Sequence, residues 1–149
     1  MTVLIITRGL PGSGKTTIAE RLVESAGGRM ARINRDDLRT MMHGRRLGVG
    51  WQEQQVTTAQ HAAVAALLRS GVDVIADDTN LPDRDVETWR QLAAECGATL
   101  EVIDLRDAVP LETCIARDAD RGARGGRLVG EKAIRAMHAA GQRVLAPPT

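Results

Sequence analysis

The sequence predicts an α/β fold of three layers, in which about four parallel strands form a sheet with helices on both faces. Two observations predict it. Short aliphatic runs alternate with longer stretches whose apolar residues recur at helical spacing, a pattern typical of parallel sheets with crossover helices. A glycine-rich segment at residues 9–16, Gly-Leu-Pro-Gly-Ser-Gly-Lys-Thr, joins the first run to the first helical stretch. We expect the 149 residues to form a single domain over 1–149.

The predicted strands are short and rich in aliphatic residues. Residues 3–7 read Val-Leu-Ile-Ile-Thr and residues 72–76 read Val-Asp-Val-Ile-Ala, and two further strands are predicted over 30–34 and 99–105. We expect the first strand to lie in the centre of the sheet.

Helical stretches separate these strands. The first, over 15–25, has apolar residues at helical spacing and stops at Gly27 and Gly28. A long alanine-rich helix is predicted over 52–69, and Pro82 suits the first turn of a helix that reaches about residue 96. The remaining predicted helices cover 38–42, 110–121 and 131–140, with loops at 44–50 and 122–130. Residues 111–140 are expected to form a lid.

Composition excludes some classes of partner. The formal net charge of +1 argues against a protein that coats long stretches of duplex, although a local grip on one or two phosphates stays open. The chain has two tryptophans and no other aromatic residue, which disfavours a stacking platform for single strands.

Cys96 and Cys114 are expected to be buried free thiols. Without a signal peptide or a long apolar run, we expect a cytoplasmic protein with no membrane partner.

Residues 9–16 fit the pattern G-x-x-x-x-G-K-[ST], whose backbone N–H groups surround nucleotide phosphates. Lys15 is predicted to reach the β and γ phosphates, and Thr16 is predicted to bind Mg²⁺ through its hydroxyl. The predicted donor-binding residues of this segment are Gly12, Ser13, Gly14, Lys15, Thr16 and Thr17. The sequence therefore predicts a site for ATP or another NTP with Mg²⁺.

Residues 34–39, Asn-Arg-Asp-Asp-Leu-Arg, follow the second predicted strand. In open α/β sheets the carboxyl ends of the strands face the ligand crevice. A carboxylate there can accept a proton from an attacking hydroxyl, and Arg39, about one turn later, can hold an anion on the acceptor. The same residues also suit a helix N-terminus with favourable acidic side chains and a solvated Arg39. Spacing alone leaves both interpretations open.

Four blocks of the sequence resemble the 5′-hydroxyl polynucleotide kinase family. They are the phosphate loop, Ile-Asn-Arg-Asp-Asp-Leu-Arg at 33–39, Asp-Thr-Asn-Leu at 78–81, and a segment from Arg117 through Arg121-Gly122 to Ile-Arg-Ala-Met at 134–137. They occur in the family's order and span nearly the whole chain. The resemblance implies a P-loop kinase fold, an end-healing (repair) setting and transfer of the γ-phosphoryl group of an NTP to the 5′-hydroxyl of DNA or RNA.

The resemblance also implies roles for single residues. Asp36 corresponds to the general base, and Arg39 corresponds to the arginine that grips the acceptor's 3′ phosphate. Arg121 takes the place of the lid arginine over the donor phosphates, with Arg117 one turn before it. The loop arginines Arg124 and Arg127 are either solvated or phosphate-binding.

The third block implies that Asp78, Thr79 and Asn80 lie on the acceptor side. The match implicates Asp78 and Asn80 more than Asp77, and Asp78 is suited to orient Arg39 or the waters of the metal. The alternative is that its carboxylate caps the next helix.

Two other functions stay open from the sequence. A kinase for a small molecule, such as a nucleoside, sugar or antibiotic, would explain the modest net charge. A non-catalytic NTP-binding module would need only the phosphate loop.

Overall fold

The structure, a computed structural model, describes residues 1–44 and 49–145. In these residues, each strand is followed by one or two helices. The strands are β1 (Val3–Arg8), β2 (Met30–Arg32), β3 (Asp73–Ala76) and β4 (Thr99–Asp104). The helices are α1 (Lys15–Ser25), α2 (Arg35–His43), α3 (Gly50–Arg69), α4 (Asp83–Glu95), α5 (Leu111–Ala123) and α6 (Glu131–Leu145).

The strands form one sheet in the order β2-β3-β1-β4, and each neighbouring pair is parallel. Parallel neighbours need a crossover between them, which the helices supply. Strand β1 lies between β3 and β4, with Leu4 opposite Val74 and Ile5 opposite Ile75. The predicted parallel α/β sheet with β1 in its centre is therefore confirmed.

Successive side chains of β1 point to opposite faces of the sheet, and a separate core covers each face. Leu4 and Ile6 pack with residues of α3 and α4, among them Trp89, which is only 3% exposed. Ile5 packs on the other face with Ala19 of α1. Helices thus cover both faces, as predicted.

A third apolar cluster joins the phosphate loop to the last two helices. Leu10, Cys114 and Ile134 are buried together there, with Leu111 and Met137 packed against them. Helices α5 and α6 are therefore seated directly over the loop, where a lid was expected.

Helix α2 begins at Arg35, three residues before the predicted start. Asn34 caps it, since its side-chain Oδ1 accepts a hydrogen bond from the backbone N–H of Asp37 at 3.0 Å. Strand β2 accordingly ends at Arg32 rather than at residue 34.

Helix α5 continues to Ala123, which shortens the predicted loop at 122–130. Part of the predicted loop at 44–50 lies outside the described residues. No helix within 1–44 and 49–145 is long and apolar enough to cross a bilayer.

Candidate active site

Three of the predicted motifs follow three adjacent strands of the sheet. The phosphate loop follows β1, residues 34–39 follow β2, and residues 77–80 follow β3. The backbone N–H of Gly9 donates to the carbonyl of Thr79 at 3.0 Å, and that of Ile33 donates to the carbonyl of Ile75 at 3.0 Å. The motifs therefore meet at the carboxyl edge of the sheet, where ligands of open α/β sheets bind.

Glycines shape the phosphate loop at two positions. Gly12 and Gly14 have φ angles of 83° and 97°, a region that side chains with a Cβ rarely adopt. A Cβ on Gly12 would also lie 2.4 Å from the carbonyl oxygen of Cys114 in α5. Helix α1 starts immediately afterwards with no side-chain cap and no acidic residue in its first turn. Its N-terminal N–H groups can therefore serve an anion.

The side chains of the loop also suit a polyphosphate. Ser13 is 4% exposed, and its Oγ has no hydrogen-bond partner within the part of the chain that the structure describes. Lys15 donates from Nζ to the carbonyl of Leu10 at 2.8 Å. Burial, with the charge of Arg127, lowers the pKa of Lys15 to about 8. Thr16 and Thr17 are exposed residues at the start of α1. These residues fit an NTP with Mg²⁺, and Thr16 is the residue that would hold the metal.

Arg39 is bound on two sides by carboxylates. Its Nη1 donates to Asp36 Oδ1 at 2.6 Å, while Nε and Nη2 donate to the two carboxylate oxygens of Glu53 at 2.5 and 2.8 Å. Only 11% of the Arg39 side chain is exposed, which excludes the solvated interpretation of this residue. Hydrogen bonds from Arg39, with a further contribution from Arg35, lower the pKa of Glu53 to about 2.

The sequence analysis missed Glu53. It lies in the first turn of α3, 14 residues after Arg39, and no motif marks it. Arg35 also converges on it, with Nη2 2.9 Å from its Oε2. Two arginines of α2 are therefore joined to one carboxylate of α3.

The sequence leaves open whether Arg127 is solvated or binds phosphate. In the structure, Arg127 forms an ion pair with Asp36 Oδ2. Its charge also contributes to the lowered pKa of Lys15. The guanidinium of Arg127 therefore lies close to both the phosphate loop and the carboxylate expected to act as base.

The predicted lid arginines, Arg121 and Arg117, are turned toward the protein. Arg121 pairs with Asp118 at 2.8 Å and donates to the carbonyl of Arg127 at 2.7 Å. Arg117 donates to the carbonyl of Gly12 at 3.3 Å, so it reaches the phosphate loop. Binding of donor phosphates by either residue stays a prediction.

Asp118, which the sequence analysis also missed, fixes the loop after α5. It is 1% exposed and accepts backbone hydrogen bonds from Val129 at 3.0 Å and Gly130 at 2.8 Å. Burial would raise its pKa, but these N–H groups and Arg121 hold the pKa below its usual value. This carboxylate therefore determines where the loop carrying Arg127 can lie.

Asp78 is buried at the end of β3 and binds the start of α2. Its carboxylate accepts from the backbone N–H of Arg35 at 3.0 Å and from the Gln60 amide. Burial raises its pKa despite these bonds. Asp78 does not cap the following helix, because α4 begins after Pro82 without a side-chain cap. Within 1–44 and 49–145, Asp78 makes no hydrogen bond to Arg39, which is bonded to Asp36 and Glu53. The negative charge of Asp78 nevertheless contributes to the raised pKa of Arg39, and a role of Asp78 in orienting Arg39 or the waters of the metal stays a prediction.

Asn80 connects the sheet to α4. It has a φ of 42°, and its amide donates to the carbonyl of Thr7 at 2.9 Å while its Oδ1 accepts from the Trp89 indole at 3.0 Å. Both polar groups of the side chain are thus bonded within the protein. A contact of Thr79 or Asn80 with a substrate stays a prediction. Beside them, a polar cavity of about 290 Å³ lies between α3 and α4, next to Arg35 and Asp78.

Comparisons with known proteins agree with the fold described above. A family profile described as an AAA domain matches residues 4–144. A chain of the Pnkp1/Rnl/Hen1 RNA repair complex superposes with a TM-score of 0.81 and 30% identity, covering 97% of this chain and 45% of that one. A second structure of the Pnkp1/Rnl/Hen1 complex gives a TM-score of 0.69 and 32% identity over 78% of this chain and 39% of that one.

A more distant match supports the fold alone. A candidate kinase from Chloroflexus aurantiacus has a TM-score of 0.73 at 21% identity, covering 93% of this chain and 76% of that one. No curated protein sequence matches the chain.

The chain spans less than half the length of the two RNA repair chains that it matches. Even so, the profile covers most of its residues, and the sheet order, the phosphate loop and the structural matches agree with one another. The chain belongs to the AAA domain family, as a P-loop protein with a polynucleotide kinase-like fold.

Proposed function

We propose that this chain is a 5′-hydroxyl polynucleotide kinase. It transfers the γ-phosphoryl group of ATP or another NTP, with Mg²⁺, to the 5′-hydroxyl of a DNA or RNA end or of a nucleoside 3′-phosphate. The observation that carries the proposal is the pairing of Asp36 with Arg39 at the edge of the sheet, beside the phosphate loop. A carboxylate for the proton and a guanidinium for a phosphate are thereby held together.

The donor side rests on the phosphate loop. Backbone N–H groups of residues 12–17 and the ammonium of Lys15 would hold the β and γ phosphates, and Thr16 would hold the metal. When bound, the NTP supplies the phosphoryl group, and Mg²⁺ neutralises part of the negative charge of the phosphates. Arg117 already touches Gly12 of the loop, and Arg121 lies one turn further along α5. These arginines, with Arg127, stabilise the negative charge on the transferred group.

The acceptor side rests on α2. Asp36 accepts the proton of the 5′-hydroxyl while the hydroxyl oxygen forms its bond to the γ phosphorus. The bond from that phosphorus to the β–γ bridging oxygen breaks, and the nucleoside diphosphate leaves. Arg39 holds the phosphate on the 3′ side of the acceptor nucleotide, which keeps the hydroxyl in line with the donor.

A small-molecule kinase is the second candidate. The net charge of +1 and the cavity of about 290 Å³ beside Arg35 and Asp78 favour a small acceptor. The two candidates differ in what they require next to the hydroxyl. A polynucleotide kinase that uses Arg39 prefers an acceptor with a 3′ phosphate, whereas a small-molecule kinase does not.

One acceptor panel tests the proposal. The protein is incubated with Mg²⁺ and ATP labelled in the γ phosphate, together with a nucleoside, its 3′-phosphate, or a DNA or RNA oligomer with a 5′-hydroxyl. Oligomers that already carry a 5′ phosphate are the matched control. Label on the 5′-hydroxyl oligomers and on the 3′-phosphate supports the proposal. Equal labelling of the bare nucleoside favours the small-molecule kinase, and NTP binding without any transfer favours a non-catalytic module.

A further inference from the structure

The Arg39 guanidinium has more than one edge that can bind an anion. A guanidinium presents five N–H groups in a rigid plane, so that a partner occupying one edge determines where the other edge points. Glu53 occupies the edge formed by Nε and Nη2, with donor–acceptor distances of 2.5 and 2.8 Å. The remaining terminal nitrogen, Nη1, donates to Asp36 Oδ1 at 2.6 Å.

Glu53 is itself firmly held. Arg35 donates to its Oε2 at 2.9 Å and to its backbone carbonyl at 3.1 Å, and the other Arg35 terminal nitrogen donates to the hydroxyl of Thr57 at 2.6 Å. These bonds join the first turn of α2 to the first two turns of α3. A carboxylate tied in this way cannot follow Arg39 if Arg39 moves, so it acts as a fixed point for the guanidinium.

We expect an acceptor phosphate to bind the terminal nitrogens Nη1 and Nη2 of Arg39. One of them, Nη1, is bonded to Asp36. A phosphate that binds Nη1 and Nη2 in a two-point contact competes with Asp36 Oδ1 for Nη1. When the phosphate wins, the Asp36 carboxylate loses its hydrogen bond from Arg39 and keeps its ion pair with Arg127 through Oδ2. Occupation of the phosphate site thus removes one of the two arginines that compete for the base.

We propose that Glu53 is a positioning residue of the acceptor site: it fixes the Arg39 guanidinium so that an acceptor phosphate displaces Asp36 from Arg39 and leaves one arginine fewer competing for the carboxylate that takes the hydroxyl proton. This inference rests on the proposed function and adds to it a residue and a reason for phosphate-dependent activity. Without Glu53, Arg39 can turn and pair with Asp36 through two bonds. The acceptor phosphate then meets a guanidinium that points elsewhere.

The test compares Glu53→Gln with the wild type on a nucleoside 3′-phosphate and on the bare nucleoside. Glutamine keeps the shape but places an amide donor against a guanidinium donor and removes the charge. The KM for the 3′-phosphate is expected to rise on the order of 10- to 100-fold, because the phosphate-binding group is misplaced. The KM values for ATP and for the bare nucleoside stay within about twofold. Glu87→Gln is the matched control, because Glu87 pairs with Arg90 on the exposed side of α4.

A double variant separates positioning from general damage. If Glu53 acts through Arg39, then Glu53→Gln adds no further loss to Arg39→Ala. Three results would each overturn the inference. The first is that the losses caused by Glu53→Gln and Arg39→Ala add up in the double variant. The others are an equal rise in KM for both acceptors and an unchanged KM for the 3′-phosphate in Glu53→Gln. Glu53→Asp keeps the charge but shortens the reach, and an intermediate KM is expected. If the glutamine variant does not fold, the aspartate variant decides, and wild-type kinetics in that variant overturn the inference.

The proposed function can fail separately. If the wild type transfers phosphate to no acceptor, calorimetric titration of the nucleoside 3′-phosphate into the wild type and Glu53→Gln still tests the inference. Binding weakened on the order of tenfold or more in the variant supports the positioning role. Equal binding in both proteins, or no binding to the wild type, overturns it.

Discussion

Arg127, in the loop after α5, is ion-paired with Asp36, at the start of α2. The two residues are 91 positions apart in the chain, and the contact joins the loop after α5 to the start of α2. Because the charge of Arg127 also lowers the pKa of Lys15, this guanidinium lies near both Asp36 and the phosphate loop. In the proposed reaction, the acceptor hydroxyl has to separate this pair before it reaches Asp36.

Arg127→Ala is expected to lower kcat by roughly 10- to 1,000-fold, because the variant lacks a cation beside the transferred phosphoryl group. The KM for the acceptor is expected to change much less, since Arg39 remains. Steady-state kinetics with a 5′-hydroxyl oligomer measure both values. Arg124→Ala is the control from the same loop, because Arg124 pairs with Asp120 on the surface. Equal kinetics of the two variants would remove Arg127 from the proposed site.

Asp36→Asn is expected to lower kcat by about 10²- to 10⁴-fold, since the amide cannot take the hydroxyl proton. The affinity for ATP should persist, because the phosphate loop is unchanged. Asp37→Asn is the matched control: this neighbouring carboxylate is exposed and pairs with Arg32, while its backbone N–H still binds Asn34. Rapid-quench kinetics and nucleotide titration measure the two effects. Turnover retained by Asp36→Asn would mean that another group is the base.

Nucleotide affinity is expected to fall as the pH rises above about 8. Burial, assisted by Arg127, lowers the pKa of Lys15 to about 8 in the free protein, so the amine loses its proton from there upward. Phosphates bind the protonated form and raise its pKa again. NTP binding near pH 9 should therefore be accompanied by proton uptake, which calorimetry in buffers of different ionisation enthalpy detects. Constant affinity from pH 7 to 9.5 would contradict the assignment of Lys15.

Asp118→Ala is expected to destabilise the protein by roughly 2–4 kcal/mol, because partly buried N–H groups of Val129 and Gly130 lose their acceptor and Arg121 loses its partner. Asp120→Ala, on the exposed side of the same helix, should change stability by about 0.5 kcal/mol or less. Urea unfolding followed by circular dichroism measures both. Similar midpoints for the two variants would show that Asp118 does not fix the loop.

The folded arrangement of β1, the phosphate loop and α1 could be predicted from the sequence, since glycines and an aliphatic run determine it locally. The carboxyl edge of the parallel sheet then brought residues 34–39 and 77–80 beside the loop, as expected. The predicted start of α2 at residue 38 is three residues too late, although Asn34 is a good cap for a helix that begins at Arg35.

Glu53 and Arg127 could not be assigned roles from the sequence for a different reason. The place of Glu53 depends on how α2 packs on α3, and the place of Arg127 depends on a loop that the buried Asp118 fixes. Both are contacts between segments that no local pattern connects.

Transfer of the phosphoryl group to the 5′ end of a nucleic acid can be measured with ATP labelled in the γ phosphate and a DNA or RNA oligomer with a 5′-hydroxyl, followed by complete nuclease digestion. We expect label on the 5′ phosphate of the terminal nucleotide, present with the wild type and lost with Asp36→Asn. Label that appears only as free phosphate or only on a small molecule would show that the chain is not a polynucleotide kinase.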